Sequence, residues 1–404
     1  MDQPGFLNLL AAAVQHKVSD IHLHPGAPPG FRVQGDLVNV KYPALTEEDF
    51  KVIVGTLMHG HDALARIDKI QDFDGSFEVK NLSRFRYNIF RFKGRLAAIL
   101  RIIPNQIPTI EKMGLPKVLT KIASIPRGLV LVTGATGSGK SSTLAAMIDY
   151  INTHNHYHIL TIEDPVEFVH PQRKSRISQR EVGPDTVSFA GALRSALRQD
   201  PDVILVGEMR DPETIDIALK AAETGHLVFS TVHTNDAIKT IGRLVSVFKP
   251  EEQRMVRMRL ADNLMATISQ RLLKRADGKG MIAAQEIMVS NPGIAECIAD
   301  PEMTHGINDF ILKSRELSGG QTFDMHLAEL YMAGTINLEV AMEASTRPAD
   351  FERSLMYGSN QGGNNAPPPA AKAGGAVVMD HGADASGNQP VAPKAETKSG
   401  KKSA

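Results

Sequence analysis

Apolar residues recur at helical spacing near the start of the chain. Phe6, Leu9, Leu10, Ala13 and Val14 share one face and predict a packed first helix. The pattern then shortens. Ile21–Leu23, Phe31–Val33 and Leu37–Val40 read as strands between Gly/Pro turns, with Gly35-Asp36 as a tight-turn signal. A helical stretch is expected from about Thr46 to Ile70. From Phe73 to Ile103 the alternation is that of strands: Phe77 and Val79, then Phe85, Tyr87 and Ile89, then Ala97 and Ile99. Residues 1–103 thus predict a small antiparallel sheet with helices on one side. Pro104, Pro108 and Pro116 punctuate a linker, 104–116.

From residue 117 the apolar positions form short continuous runs separated by helical patterns. Leu129–Thr133, Ile159–Ile162, Val203–Val206, Leu227–Val232 and Met281–Ile287 read as buried strands. Their spacing predicts an α/β fold with a parallel sheet and crossover helices over 117–357. Pro250 to Leu273 reads as one long amphipathic helix, and Asn291 to Arg353 as all-helical. From Gly358 the chain turns to Gly, Ala, Pro, Asn, Ser and Lys, without aromatic, Leu or Ile residues. Such a segment has too little to bury to offset its ordering entropy, so 358–404 is expected to be a disordered tail.

Composition narrows the class. The 404 residues are 42% hydrophobic, ample for packed cores, and the formal net charge is zero. A neutral chain exerts no general pull on nucleic acid or anionic lipid, and no nucleic-acid partner is expected. No run approaches the length of a membrane span. Phe6 to Val14 lacks the basic flank of a signal peptide. Cys297 is the single cysteine, which fits a reducing cytoplasm and excludes a four-cysteine zinc site.

Chemistry enters at residues 134–141, Gly-Ala-Thr-Gly-Ser-Gly-Lys-Ser, a complete phosphate-binding loop between the Gly128–Thr133 strand and a helix from Ser142. Gly134, Ala135, Thr136, Gly137, Ser138, Gly139, Lys140, Ser141 and Ser142 are therefore the expected nucleotide contacts. The glycines let backbone N–H groups close on phosphate oxygens, and the helix aims its positive end at them. Lys140 reaches the β- and γ-phosphates, and the Ser141 hydroxyl takes Mg²⁺. ATP with Mg²⁺ is the expected ligand.

Asp202-Val-Ile-Leu-Val-Gly-Glu208 is an apolar strand ending in an acid, as a Walker B strand does. Glu208 is expected to hold Mg²⁺, directly or through water. Thr161-Ile-Glu-Asp-Pro-Val-Glu167 follows another strand, and Glu163 or Asp164 there is placed to polarise the attacking water. His233, after the strand from Leu227, is a candidate sensor of the γ-phosphate, with His226 the weaker of the pair. Arg84, Arg86 and Arg101 on the N-terminal strands, Arg127 before the loop strand, and Arg194 with Arg198 are candidates for an arginine delivered to a neighbouring subunit's phosphate. Surface ion pairing is the plainer reading of any one of them. His154, His156 and His158 alternate, as do His22 and His24, but a structural reading is preferred to metal ligation.

Taken together these stretches resemble the secretion-type hexameric ATPases, in particular the retraction motors of type IV pili. The likeness rests on Ser19-Asp-Ile-His-Leu23, Arg84-Phe-Arg-Tyr-Asn88, the phosphate loop, Thr161–His170, Gln179-Arg-Glu-Val182, Gly207-Glu-Met-Arg-Asp211 and Ala222-Glu-Thr-Gly-His226 through His233. It covers about residues 1–350. The resemblance implies a PAS-like N-terminal domain, a RecA-like core, a homo-hexameric ring and ATP bound between the domains. It also implies Glu163 in the family's acidic box, Glu208 as its Walker B glutamate, His226 and His233 in its histidine box, and N-terminal arginines that reach a nucleotide. The expected function is ATP-driven pilus retraction at the cytoplasmic face of the inner membrane, with a membrane platform protein and a paralogous pilus ATPase as candidate partners. An accessory pilus ATPase, a secretion or DNA-uptake ATPase, and a RecA-like nucleic-acid motor are the alternatives. Extension and type II secretion relatives carry an added N-terminal domain and usually a four-cysteine zinc module, so the retraction branch fits better. One late segment departs from that branch. Where retraction motors have Ala-Ile-Arg-Asn-Leu-Ile-Arg-Glu, residues 293–300 read Gly-Ile-Ala-Glu-Cys-Ile-Ala-Asp, with Ala295 and Ala299 in the arginine positions.

Overall fold

The computed structural model describes residues 1–33, 36–58, 67–103 and 106–358, with side chains through residue 356. The Gly35 turn, Pro104, part of the helical stretch expected after Thr46 and all but the first residue of the expected tail lie outside the described residues.

The first helix, Gln3–Gln15, starts where Asp2 accepts from the Gly5 N–H and buries Phe6, Leu9, Leu10 and Ala13. A second, Glu47–Leu57, opens on a capping box between Thr46 and Asp49 and buries Phe50, Ile53, Val54 and Leu57. Six strands accompany them: β1 (Asp20–Leu23), β2 (Gly30–Val33), β3 (Asp36–Asn39), β4 (Asp72–Val79), β5 (Ser83–Phe92) and β6 (Arg95–Ile103). They form one antiparallel sheet in the order β3-β2-β1-β6-β5-β4. Strand alternation sends Phe85, Tyr87 and Ile89 into the core with the helix residues and leaves Arg84 and Arg86 on the other face.

The second sheet contains β7 (Gly128–Thr133), β8 (His158–Glu163), β9 (Arg176–Glu181), β10 (Val203–Val206), β11 (Leu227–Val232), β12 (Leu264–Lys274) and β13 (Met281–Val289). Its order is β13-β12-β7-β11-β10-β8-β9. All neighbours are parallel except β12 and β13. Residues of one strand parity, such as Leu129, Leu131, Ile204 and Val228, pack on the helices Phe189–Ala196, Pro212–Glu223 and Ala237–Ser246. The other parity, Val130, Val132, Leu205 and Phe229, packs on Val118–Ala123 and Lys140–His154. Both faces are covered, so the central strands read as continuous apolar runs.

Three sequence readings change here. The long helix expected to Leu273 ends at Asn263, and the chain passes straight into β12. No Gly or Pro marks that switch, and Leu, Met, Ala, Gln and Arg favour a helix until the slot beside β7 overrides them. β13 is antiparallel rather than parallel. β9, a polar edge strand reading Arg-Ile-Ser-Gln-Arg-Glu, carried too little apolar pattern to be read as a strand. Helices dominate from Pro292 to Gly358, as expected.

Candidate active site

The phosphate loop lies between β7, at the middle of the sheet, and the helix Lys140–His154. Gly134 has φ +142°, and a Cβ there would lie 2.5 Å from both the Gln270 carbonyl and Ser138 Oγ. Gly139, at φ +88°, caps the helix in a left-handed conformation and brings no side chain to it. The helices after Ser188, Asp211, Asp236, Asn291 and Thr322 are instead capped by those side chains. A glycine cap leaves first-turn N–H groups for a ligand anion. Ser141 and Ser142 sit in that first turn, half-buried. Lys140 is buried, and its Nζ donates to the carbonyls of Gly134 at 2.9 Å and Ala135 at 3.0 Å. Burial lowers its pKa, while the charges of Glu167 and Glu208 oppose the shift. Those acids therefore share the lysine's surroundings.

Parallel register collects the remaining groups. Val206 pairs with Ile162 and with Ser230, and Val232 pairs with Thr133. Glu163, Glu208 and His233 consequently leave the sheet at the same carboxyl edge as the loop, where open α/β sheets bind ligands. The Gly207 N–H donates to Ile162 O at 2.8 Å, and Thr231 Oγ1 donates to Gly207 O at 2.6 Å, fixing the turn into Glu208. Glu208 pairs with Arg210 at 2.7 Å and lies 3.6 Å from His233 Nε2. Glu163 Oε1 accepts from Thr161 Oγ1 at 2.7 Å and from Gln179 Nε2 at 3.1 Å. Burial raises the Glu163 pKa above the ordinary carboxylate range, against those hydrogen bonds. Glu208 thus faces a guanidinium, whereas burial biases Glu163 towards holding a proton.

His226 is set apart. It precedes β11, its Nδ1 lies 2.9 Å from the Ala221 carbonyl, and its own carbonyl accepts from Gly128 N–H at the start of β7. That is the opposite edge of the sheet from the phosphate loop, so within one chain His226 is not part of the cluster. Arg127, directly before Gly128, stands at the same far edge.

The N-terminal arginines separate too. Arg84 donates to Ser76 Oγ at 2.8 Å and pairs with Glu181 at 2.5 Å, joining β5 to β9 within one chain. That bond engages, within its own chain, one of the guanidiniums that were candidates to act in trans. Arg101 pairs with Asp20 at 2.8 Å yet keeps 69% of its side chain exposed. Arg86 lies opposite Arg101 on the neighbouring strand and is exposed. Arg194 pairs with Glu213, and Arg198 bonds weakly to the Arg194 carbonyl.

No three His, Cys, Asp or Glu side chains converge as a metal cage among the described residues. His158 is held by the carbonyls of Gln199 and Asp200 and by Ser178 Oγ, and His154 by Tyr150 O. A Mg²⁺ ion on nucleotide needs only one or two protein oxygens beside phosphate oxygens, and the Ser141 hydroxyl and Glu208 carboxylate are hard donors of that kind.

A cleft of about 260 Å³ opens beside the loop, lined by Ala135, Thr136, Asn235, Gln270, Arg271 and Leu272 among others. Asn235, Gln270 and Arg271 escaped the sequence reading. The last two lie in β12, whose strand identity was hidden, and the sequence carried no other signal for them.

The comparisons agree with this architecture. Residues 6–322 match the family model described as "Type II/IV secretion system protein". The chain is 46% identical over 343 residues to the type IV pilus retraction ATPase PilT of Pseudomonas aeruginosa, covering 85% of this chain and 98% of that one. It is 48% identical over 329 residues to a twitching motility protein of Neisseria gonorrhoeae, covering 81% and 86% respectively. Among solved structures it is similar to the pilus retraction motor PilT with bound ADP, at TM-score 0.78 and 46% identity, covering 86% of this chain and 98% of that one.

Proposed function

The chain belongs to the type II/IV secretion system protein family, and we propose that it is an ATP-hydrolysing motor that retracts type IV pili. The observation that carries this reading is the convergence of the phosphate loop, Glu163, Glu208 and His233 at one sheet edge, in a chain collinear with 98% of a retraction ATPase. The Gly134–Ser142 loop binds the phosphates of ATP, and Lys140 neutralises the charge that builds on the transferring group. Ser141 and Glu208 would hold Mg²⁺, which when bound supplies further positive charge at the phosphate oxygens. Glu208, with Glu163 made more basic by burial, orients and polarises the attacking water. His233, beside Glu208, reads the state of the γ-phosphate.

Residues 1–103 and 117–357 act as two domains of a subunit, and six subunits form a ring at the cytoplasmic face of the inner membrane. Arg101 and Arg86 extend from the exposed sheet face towards a neighbouring subunit's nucleotide. Among the described residues no helix is long and apolar enough to cross a membrane, so a membrane platform protein takes up the work. One observation favours an accessory role beside a paralogous motor: Ala295 and Ala299, where retraction motors carry arginines, pack on the main core. Deleting the coding sequence separates the readings. A retraction motor leaves cells with surplus pili and no twitching, restored by the wild-type chain and not by Lys140→Ala. Normal twitching in the deletion strain overturns the primary role.

A further inference from the structure

Gln270, on the strand next to the phosphate loop's own, is 2% exposed. Its Nε2 donates to the Ser138 carbonyl at 2.7 Å. Its Oε1 accepts from Thr143 Oγ1 at 2.9 Å and from Gln285 Nε2 at 3.0 Å. The same residue limits the loop at both ends. A Cβ on Gly134 would lie 2.5 Å from the Gln270 carbonyl, and one on Gly139 would lie 2.9 Å from its Nε2.

The network continues away from the site. The Gln285 N–H donates to His326 Nδ1, and the Gln285 carbonyl accepts from Gln321 Nε2, each at 2.9 Å. Burial brings the His326 pKa down to about 4, so near neutral pH the ring is uncharged and Nδ1 can accept. Gln321 is tied to Ile287 by backbone bonds of 2.7 and 2.9 Å. A run of buried amides thus joins the phosphate loop to the helix Phe323–Met332.

A glycine-rich loop has a soft backbone, and a phosphate cradle needs its N–H groups held in one direction. In a trans peptide the C=O and the following N–H point opposite ways. Holding the Ser138 carbonyl on Gln270 therefore turns the Gly139 N–H away from β12. We propose that Gln270 is a positioning residue of the nucleotide site, setting the Ser138–Gly139 peptide for phosphate, and that the Gln285 side chain acts on the loop only through it. The inference rests on nucleotide binding at this loop.

The test uses the full-length protein titrated with a fluorescent ADP analogue. Gln270→Leu keeps the side chain's bulk and removes its polar bonds. It is expected to weaken ADP binding tenfold or more and to raise KM for ATP more than it lowers kcat, with the circular dichroism spectrum unchanged. Gln270→Glu keeps the acceptor for Thr143 and Gln285 but lacks the donor to Ser138, and is also expected to weaken binding. Gln285→Leu should weaken it several-fold, and the double variant should bind no worse than Gln270→Leu. ADP binding within twofold of wild type in Gln270→Leu or Gln270→Glu overturns the positioning role. Additive losses in the double variant overturn the route through Gln270. Should Gln270→Leu fail to fold, Gln270→Glu decides the first point, and its double variant with Gln285→Leu the second. Lys140→Ala in parallel separates the premises: retained ADP binding there sinks the nucleotide site itself, whereas loss there with full binding in Gln270→Leu sinks only this inference.

Discussion

Glu163 and Glu208 leave adjacent strands at one edge, and their surroundings differ in kind. Glu208 faces Arg210 and His233, while Glu163 is half-buried and bonded to Thr161 and Gln179. Glu208→Gln is close to isosteric, so nucleotide should still bind while hydrolysis falls by roughly two orders of magnitude or more. Steady-state ATPase assays beside ADP titration check this. If Glu163→Gln proves far more damaging, Glu163 is the principal acid. Lys140→Ala should abolish turnover outright, since nothing else in the loop supplies a point charge. A different carboxylate sets a pH dependence. Glu286 is buried and accepts from the Ala237 N–H, with Asp236, Asp324 and Arg271 around it. Burial raises its pKa from 4.5 to about 7. The native state then holds a proton that the unfolded chain has released, so Glu286 erodes stability as pH rises from 4.5 through about 7. Glu286→Gln should stabilise the protein at pH 8 by on the order of 1–3 kcal/mol and leave it nearly unchanged near pH 4.5. Urea unfolding at the two pH values measures the difference. An equal gain at both pH values would exclude titration as its source.

At the scale of elements, the loop, β10 and the acids at strand ends were legible because each joins a composition signal to a period. Gly134–Ser141 is bounded by an apolar run and a helical repeat, and Asp202–Glu208 is an apolar run that stops on an acid. β12 was illegible for the opposite reason. Its residues favour a helix, and only the open position beside β7 makes them a strand, so Gln270 was lost with it. The far-edge location of His226 was within reach, because the strand read over Leu227–Val232 has His226 just before it and His233 just after it, and a parallel sheet puts those two ends at opposite edges. A sequence could not foresee that Arg84 meets Glu181 across 97 residues. That ion pair makes its own prediction. Glu181 keeps only 3% of its side chain exposed, so Arg84→Ala leaves a buried carboxylate without its cation. The loss should be of order 2 kcal/mol, reduced from the fully buried case because Arg84 is partly solvated. Adding Glu181→Gln should recover part of it in urea unfolding. A double variant no more stable than Arg84→Ala would mean that the charge is not the source of the loss.

For the whole molecule, the question is whether an N-terminal arginine acts across a subunit interface. Arg84 is engaged within its own chain, whereas Arg101 shares Asp20 with Arg32 and leaves most of its side chain to solvent. Arg86 stands opposite Arg101, so positive charge exceeds negative along this row of the sheet. Like charges placed directly across strands are unfavourable alone and become favourable when an anion meets them. If Arg101 serves a neighbour's phosphate, Arg101→Ala should cripple hydrolysis while each subunit keeps its fold and its ADP affinity. Lys140→Ala should be inactive for a different reason, having an intact arginine and a failed loop. Mixed before ring assembly, the two should recover activity. Some interfaces will then pair the intact loop of the arginine variant with the intact arginine of the loop variant. With equal mixing and random assembly about a quarter of interfaces are of that kind, which sets the ceiling on recovery if interfaces act independently. Native mass spectrometry verifies that the rings are mixed. No recovery in verified mixed rings would assign Arg101 to its own sheet and move the same experiment to Arg86.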